Sequence, residues 1–209
     1  MKRKYCFTLN KFITYGSECV VFLGFDNIRR NQYAFKLYHN RRYIEHLNKC
    51  NDLNCQKCWE YKQSILNSIH YECDFLNILN KQKIDGIIKL LKLLKFSECI
   101  NIRDGFIQQL HDYDENICKK FLISTKLDLP ILLFPYYKYN LYYFKRKIDK
   151  FPSKYNVKSI ILCLLQSLKE IHNNKIIHCD LKPHNILFNQ IYLDLCICKS
   201  FFFHLFFFR

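Results

Sequence analysis

Glycine and proline are scarce in this chain, with four of each among 209 residues. Because half of the residues are apolar, the composition indicates a globular chain of one or two domains and excludes a disordered one. No apolar run approaches the roughly 20 residues that cross a bilayer, so we expect no membrane span. The opening segment MKRKYCFTLNKFITYG has basic residues but no continuous apolar stretch behind them, and we therefore expect no signal peptide.

Acidic residues are also few, at 18 against 33 lysines and arginines, which gives a net charge of +15. This charge favours anionic partners, among them ATP, RNA, acidic peptides and anionic lipid. The lysines are scattered without a long basic block, so we expect no dedicated nucleic-acid surface, and a solvated basic exterior explains the same charge.

Cysteine, in contrast, is frequent, with twelve residues. Without a signal peptide we expect an intracellular compartment, cytoplasmic or nuclear, in which most of these thiols are reduced. Four potential metal ligands follow the spacing H-x3-C-x4-C-x2-C, namely His46, Cys50, Cys55 and Cys58. They would suffice for tetrahedral zinc; the alternative is a disordered, asparagine-rich insertion over about residues 39–63 in which the cysteines are incidental.

Periodicity predicts several elements of secondary structure. Apolar and aromatic runs in residues 12–38 predict three short antiparallel strands, and LDLPILLF, residues 127–134, predicts a buried strand. Helical spacing predicts helices over residues 64–80 and 157–172, and a further helix beginning in YYKYNLYYFKRKI. The segment GIIKLLKLLKF, taken alone, reads as an amphipathic helix. A two-residue turn at Asn189-Gln190 predicts a hairpin joining ILF to IYL.

The string IIHCDLKPHNILF, residues 176–188, is the most specific feature of the sequence. It matches the catalytic-loop signature H-R-D-L-x-x-x-N at every fixed position except the arginine, where Cys179 stands. The chain therefore resembles the eukaryotic protein kinases. The resemblance implies that Asp180 accepts the proton of the attacking hydroxyl, that Lys182 steadies the transferred phosphate, and that Asn185 ligates Mg²⁺.

An upstream segment matches the same family in order and spacing. Ala34 and Lys36 in YAFK resemble the A-x-K of the third strand, whose lysine pairs the α- and β-phosphates of ATP, and Val21 lies fifteen residues before Lys36. The resemblance implies that Glu72, on the predicted helix, forms an ion pair with Lys36. The same alignment makes GIIKLLKLLKF a strand, and we prefer that interpretation to the local one.

The phosphate-covering loop of the family carries three glycines, and this register places Thr14, Gly16 and Cys19 on them. Only Gly16 is retained. Side chains at the other two positions stand where the backbone approaches phosphate closely, so we expect weaker or altered nucleotide binding.

The segment LLFPYYKYNLYYF resembles the hinge of the dual-specificity tyrosine-regulated kinases, which share the H-C-D variant. The alignment implies that Phe134 guards the back of the adenine pocket and that backbone groups from Pro135 to Tyr137 meet the adenine. Pro135 has no N–H and can only accept a hydrogen bond. Cys179 cannot make the bidentate phosphate contact of the arginine it replaces, so activation should not rely on that arginine.

Beyond Asn185 the resemblance weakens. Asp194, in Asp-Leu-Cys, stands where the family has the metal-binding aspartate of D-F-G. The chain then ends in KSFFFHLFFFR without an activation segment, and we expect this end to reflect a misread splice site or a truncated gene.

The sequence thus predicts an α+β, kinase-like fold of two lobes with ATP lying between them. We expect a small lobe over 1–134, the hinge and a partial large lobe over 135–194, and an aberrant apolar tail over 195–209. The first functional hypothesis is Mg-ATP-dependent phosphorylation of serine or threonine in protein substrates, with tyrosine included if the chain is dual-specific. The second is an inactive kinase-like module that binds nucleotide or protein partners, and a third is a zinc- or RNA-binding protein.

Overall fold

The computed structural model describes residues 6–47, 49–50, 52, 54–84, 86–142, 154–178, 180–188 and 199–200. The chain divides into two compact units. The first comprises Met1–Asp74 and Leu90–Tyr136, and the second comprises Phe75–Lys89 and Tyr137–Arg209. Each combines strands with helices, and the predicted α+β class is confirmed.

A six-stranded sheet forms the centre of the first unit, in the order β4-β6-β3-β2-β1-β5. Its strands are antiparallel except for the parallel β1–β5 pair. Their bounds are β1 Phe7–Tyr15, β2 Cys19–Asp26, β3 Gln32–Tyr38, β4 Lys92–Lys95, β5 Ile100–Ile102 and β6 Pro130–Pro135. The three strands predicted over residues 12–38 are confirmed, and the first begins five residues earlier than expected, at Phe7.

The two faces of this sheet have different partners. Alternate residues of β2 and β3, among them Val20, Phe22, Phe35 and Leu37, point to one face and enter the main apolar core. Helices α4 (Phe106–Tyr113) and α5 (Glu115–Lys126) cover that face and contribute Phe106, Leu110, Ile117 and Phe121 to the same core. The opposite face carries the candidate site residues.

Helix α1 spans Arg41–Leu47 and helix α2 spans Gln56–Lys81. The predicted helix over residues 64–80 is confirmed, but its predicted start is wrong by eight residues. The polar segment QKCWEYKQ contains no glycine or proline, so nothing in it interrupts helical hydrogen bonding before the apolar stripe begins. Ile65 and Ile69, at 3% and 0% exposure, anchor the buried side of α2.

The conflict over GIIKLLKLLKF is resolved in favour of a strand, since its end forms β4. Strand β4 pairs with β6 from Lys92 opposite Leu133 to Lys95 opposite Pro130. Pairing with the edge of a sheet overrides the local helical periodicity, which is what tertiary context commonly does to short apolar segments. A short helix α3, Phe96–Cys99, leads into β5.

Helices α4 and α5 follow β5 and had not been foreseen from periodicity. Asp114 separates them, and its Oδ1 accepts hydrogen bonds from the backbone N–H groups of Asn116 at 2.8 Å and Ile117 at 3.2 Å. This N-cap satisfies two of the free donors in the first turn of α5. Ser124 of α5 donates to the backbone oxygen of Tyr38 at 2.8 Å, which ties the helix to the end of β3.

The second unit contains helix α6, Lys154–Asn173, which confirms the helix predicted over residues 157–172. A small sheet has the order β7-β8-β9, with bounds Tyr139–Asn140, Ile186–Phe188 and Lys199–Ser200. A helix was expected to begin in YYKYNLYYFKRKI, and Leu141 and Tyr142 are helical, directly after Tyr139 and Asn140, whose backbones pair with β8. Residues 143–153 and the predicted Asn189-Gln190 turn lie outside the described residues.

Among the described residues, no helix combines the length and apolar character needed to cross a membrane.

Gly86 provides a test of packing in the second unit. Its φ is +84°, and a Cβ built on it would lie 1.7 Å from Ser167 Oγ and 2.9 Å from Ser167 Cβ on α6. We predict that Gly86→Ala lowers the free energy of unfolding by about 2–4 kcal/mol, through a steric clash added to left-handed strain. Gly105→Ala is the matched control, because Gly105 also has a positive φ, +74°, but nothing lies within 4 Å of its Cβ position. Gly105→Ala should lower the free energy of unfolding by only about 1 kcal/mol. Equal losses for the two variants in urea titrations would contradict the packing described here.

Candidate active site

A buried ion pair joins β3 to α2. Lys36 Nζ donates to both carboxylate oxygens of Glu72, at 2.8 Å and 2.6 Å. Lys36 is 0% exposed and Glu72 is 9% exposed, so each charge depends on the other for compensation. The ammonium also lies 4.7 Å from the ring centroid of Tyr38. The ion pair predicted from the sequence is therefore present.

The sheet register collects other predicted site residues around this pair. Val21 on β2 lies opposite Lys36, and Ala34 on β3 lies opposite Phe134 on β6. Since Ala34 and Lys36 are two residues apart on one strand, all four side chains point to the same face of the sheet. Phe134 is fully buried. This is the face opposite the α4–α5 core.

Gly16 lies in the turn between β1 and β2, where its N–H donates to the backbone oxygen of Cys19 at 2.8 Å. A Cβ on Gly16 would contact only Cys19 Sγ, at 3.7 Å. Thr14 is exposed, whereas Cys19 is 3% exposed and points to the same face as Val21. Burial raises the pKa of Cys19 to about 11, with Lys36 and Glu72 acting on it as neighbouring charges. A thiol therefore occupies space beside the ion pair.

The predicted hinge begins at Pro135, the last residue of β6, which pairs with Tyr33. Tyr137 follows β6 and is half-buried, and this burial raises the pKa of its hydroxyl.

The second unit brings the catalytic-loop residues together. Asp180 Oδ2 lies 3.0 Å from Lys182 Nζ and accepts a hydrogen bond from Asn185 Nδ2 at 2.9 Å. The same amide donates to the backbone oxygen of Asp180 at 2.8 Å. A 3-10 turn over Pro183–Asn185 brings the side chain of Asn185 back to Asp180. Asn185 is 0% exposed. The carboxylate is thus oriented by an ammonium and an amide.

Asn185 retains an unused acceptor. Its Oδ1 is buried and has no hydrogen-bond partner among the described residues. Burying an amide oxygen without a hydrogen-bond partner costs free energy unless a bound group contacts it. Carbonyl and carboxylate oxygens are the ligands that Mg²⁺ prefers. The residues present therefore fit a magnesium ion near Asn185. The second expected ligand, Asp194, and the substituted Cys179 lie outside the described residues.

His178 supports the loop in a way that the sequence reasoning did not assign. The Asp180 N–H donates to the backbone oxygen of His178 at 2.7 Å and to its Nδ1 at 3.2 Å. His178 is 3% exposed, and burial lowers the pKa of its imidazole, so a neutral ring accepts this bond. This role of His178 could have been predicted from its position in the H-C-D string, two residues before Asp180.

The cysteine-rich segment also converges on one place. His46 Nε2 lies 3.2 Å from Cys55 Sγ, and Cys50 Sγ lies 3.7 Å from the same sulfur. The hydrogen bond with His46 lowers the pKa of Cys55 to about 6. Tyr43, which had not been singled out, is buried beside Cys58, and burial raises the pKa of its hydroxyl to about 12.

Comparison with known families gives one match over most of the chain. The family model for the protein kinase domain matches residues 7–198. This range includes both groups of candidate site residues, and it confirms the family predicted from the catalytic-loop string.

Comparison with individual proteins points the same way. The chain is 25% identical over 125 residues to a probable cyclin-dependent serine/threonine-protein kinase of Dictyostelium discoideum, covering 60% of this chain and 9% of that protein. It is 37% identical over 114 residues to mitogen-activated protein kinase mpkC of Neosartorya fischeri, covering 53% and 24%. It is 31% identical over 97 residues to serine/threonine-protein kinase ICK of Rattus norvegicus, covering 46% and 15%. The chain thus spans at most about a quarter of the length of these relatives.

Removing one partner of the Lys36–Glu72 pair should destabilise the first unit. We predict that Glu72→Gln lowers the free energy of unfolding by about 3–5 kcal/mol, because it removes the carboxylate charge that both contacts of the buried ammonium depend on. Glu98→Gln is the matched control. Glu98 is paired with Lys95 at 3.4 Å, but both side chains are more than half exposed, and its loss should cost less than about 1 kcal/mol. Urea titrations of the two variants test this, and a Glu72→Gln loss no larger than that of Glu98→Gln would contradict it.

Proposed function

Because the chain belongs to the protein kinase family, we propose that it transfers the γ-phosphate of ATP to serine or threonine hydroxyls of protein substrates. The observation that carries this proposal is the buried Lys36–Glu72 ion pair. In protein kinases the corresponding pair must be in place for transfer to occur. Tyrosine as a second acceptor, and a relation to the dual-specificity tyrosine-regulated kinases, remain predictions from the hinge and the H-C-D string.

In this proposal Lys36 binds the α- and β-phosphates of ATP, and Glu72 holds the ammonium in position. Two carboxylate contacts fix the ammonium on its strand, so it needs little reorganisation when an anion arrives. Val21 and Ala34 supply an apolar surface for the adenine, with Phe134 behind it. Backbone groups from Pro135 to Tyr137 provide the polar contacts to the base.

Asp180 orients the acceptor hydroxyl and takes its proton, and Lys182 balances negative charge on the transferred phosphate. The Asn185 amide holds the Asp180 carboxylate at 2.9 Å while its free Oδ1 is left for a cation. We propose that Asn185, together with Asp194, holds Mg²⁺. When bound, this ion neutralises charge on the phosphate oxygens. Lys182 Nζ, at 3.0 Å from Asp180 Oδ2, helps to orient that carboxylate.

A second candidate function is nucleotide or partner binding without turnover. A specific observation favours it: Lys36 is 0% exposed, and the Cys19 thiol, at 3% exposure, occupies the same face. In the family a glycine at this position lets the backbone approach the phosphates. Here a phosphate reaches Lys36 only if the side chains that cover it move, which lowers the affinity for nucleotide or slows transfer.

Besides ATP and Mg²⁺, we propose that the chain binds Zn²⁺ in its cysteine-rich segment. There the ligand atoms of His46, Cys55 and Cys58 lie within 4.8 Å of one another. The nine described cysteines are free thiols, which suits a reducing, intracellular compartment.

The catalytic role of Asp180 has a direct test. We predict that Asp180→Asn lowers the phosphorylation rate of a general protein substrate such as casein by about 100-fold or more, because the amide cannot accept the hydroxyl proton. Asp112→Asn is the control. Asp112 is exposed, and within the described part of the chain its side chain contacts only Gln108 and His111 of its own helix. Phosphorylation by Asp180→Asn at the parent rate would remove the enzyme proposal. ATP binding with no phosphorylation by any variant would favour the second candidate.

The effect of Cys19 on nucleotide binding is measurable separately. We predict that Cys19→Gly tightens MgATP binding by about fivefold, roughly 1 kcal/mol, because it removes a side chain from the face that carries Lys36. Cys6→Gly, at an exposed cysteine before β1, is the control and should leave affinity unchanged. Calorimetric titration measures both. An unchanged or weaker affinity for Cys19→Gly would show that the thiol does not obstruct the nucleotide.

A further inference from the structure

Four soft metal ligands meet where helix α1 passes into helix α2. His46 is in the last turn of α1, Cys50 and Cys55 lie in the connection, and Cys58 is in the first turn of α2. The ligand atoms of His46, Cys55 and Cys58 all lie within 4.8 Å of one another. Cys50 Sγ is 3.7 Å from Cys55 Sγ, so the fourth ligand adjoins the same group.

The distances suit one metal ion. In a tetrahedral zinc site, Zn–S bonds of about 2.3 Å and Zn–N bonds of about 2.0 Å place neighbouring ligand atoms about 3.5–3.8 Å apart. The measured separations are 3.2 Å for His46 Nε2 to Cys55 Sγ and 3.7 Å for Cys50 Sγ to Cys55 Sγ. Thiolate and imidazole ligands select zinc over magnesium or calcium, which prefer oxygen. His46, Cys55 and Cys58 therefore already form a compact group, and Cys50, beside Cys55, would complete the tetrahedron by moving toward the other two ligands.

Tyr43 provides an independent observation. It lies on α1 with 1% exposure, and its hydroxyl has no hydrogen-bond partner among the described residues. The hydroxyl adjoins the side chain of Cys58, itself 1% exposed. A neutral thiol is a weak acceptor, whereas a metal-bound thiolate accepts hydrogen bonds readily. A thiolate at Cys58 would therefore be a better acceptor for the buried Tyr43 hydroxyl than the neutral thiol is.

We propose that Zn²⁺ bound by His46, Cys50, Cys55 and Cys58 clips α1 to the first turn of α2 and thereby fixes the N-terminal end of the helix that carries Glu72. The inference rests on the zinc occupancy proposed above and does not require phosphoryl transfer. Glu72 follows Cys58 by fourteen residues on the same 26-residue helix. The metal at its start and Lys36 at Glu72 would thus hold α2 in addition to the apolar contacts of Ile65 and Ile69.

Without the metal, the start of α2 has little else to hold it. Tyr43 and His46 contact the ring of Tyr61, with centroids 5.9 Å away in each case. Trp59, in the first turn, is 56% exposed and adds little to the packing. The thiols of Cys50 and Cys58 share one acceptor, the backbone oxygen of Asp52, at 3.5 Å and 3.4 Å. These contacts are weaker than metal–thiolate bonds, so chelation should loosen this end first.

The first measurement is the metal content of the purified 209-residue chain. We expect about one zinc per chain by elemental analysis, and sulfur-to-metal charge-transfer absorption when Co²⁺ replaces it. Cys55→Ser should lose most of the zinc, whereas Cys6→Ser, at an exposed cysteine outside the cluster, should retain it. Cys50→His should also retain zinc, with a changed cobalt spectrum, and this variant guards against loss through misfolding alone.

The second measurement is hydrogen exchange with and without a zinc chelator. We expect chelation to speed amide exchange at least tenfold in α1 and the first turns of α2, with a smaller change in β2 and β3. It should also lower the melting temperature by about 5 °C.

Four results would overturn the inference. Zinc below half an equivalent in the parent chain, or equal zinc in Cys55→Ser and Cys6→Ser, would remove the metal site. A Cys50–Cys55 disulfide in non-reduced peptides, in place of bound metal, would do the same. Zinc that binds stoichiometrically but leaves exchange in α1 and α2 unchanged on chelation would refute the clip. None of these measurements depends on kinase activity, so they cannot be confused with failure of the enzyme proposal.

Discussion

The organisation of the first unit depends on one interaction, the buried ion pair of Lys36 and Glu72. Two charges removed from water are tolerated only when they compensate each other closely, and here one ammonium meets both oxygens of one carboxylate. This requirement fixes the distance and rotation of α2 against the sheet, since Ile65 and Ile69 are buried on the side of the helix that carries Glu72. The position of α2 and the chemistry available to Lys36 are therefore set together.

The two faces of the six-stranded sheet have different roles. One face is covered by α4 and α5, and apolar side chains such as Phe22 and Phe121 pack between the sheet and these helices. The other face carries Lys36 beside small or apolar side chains. Alternation along β2 and β3 produces both faces from the same strands, so a shift of one residue in register would bury the apolar set on the wrong side and expose the lysine. Apolar packing on the first face thus holds in register the strand that presents the ammonium.

Much of this could be predicted from the sequence, and the limits have physical causes. Strands β1–β3 and helix α6 followed from periodicity, whereas GIIKLLKLLKF could not be assigned locally, because pairing with β6 decides its conformation. Helices α4 and α5 were missed, although Asp114 is a recognisable N-cap. Asp180, Lys182 and Asn185 are close in sequence, so their proximity was predictable. The burial of Cys19 beside Lys36, and of Tyr43 beside Cys58, depends on distant segments and needed the folded chain.

We propose that Lys36, held by Glu72, is the group that meets the nucleotide phosphates. The most direct test treats the chain with an adenosine analogue bearing a lysine-reactive fluorosulfonylbenzoyl group, with and without excess MgATP, and maps the modified peptides by mass spectrometry. We predict that Lys36 is the principal modified residue and that MgATP prevents its modification. Labelling spread over exposed lysines such as Lys92 and Lys95, unaffected by MgATP, would contradict it.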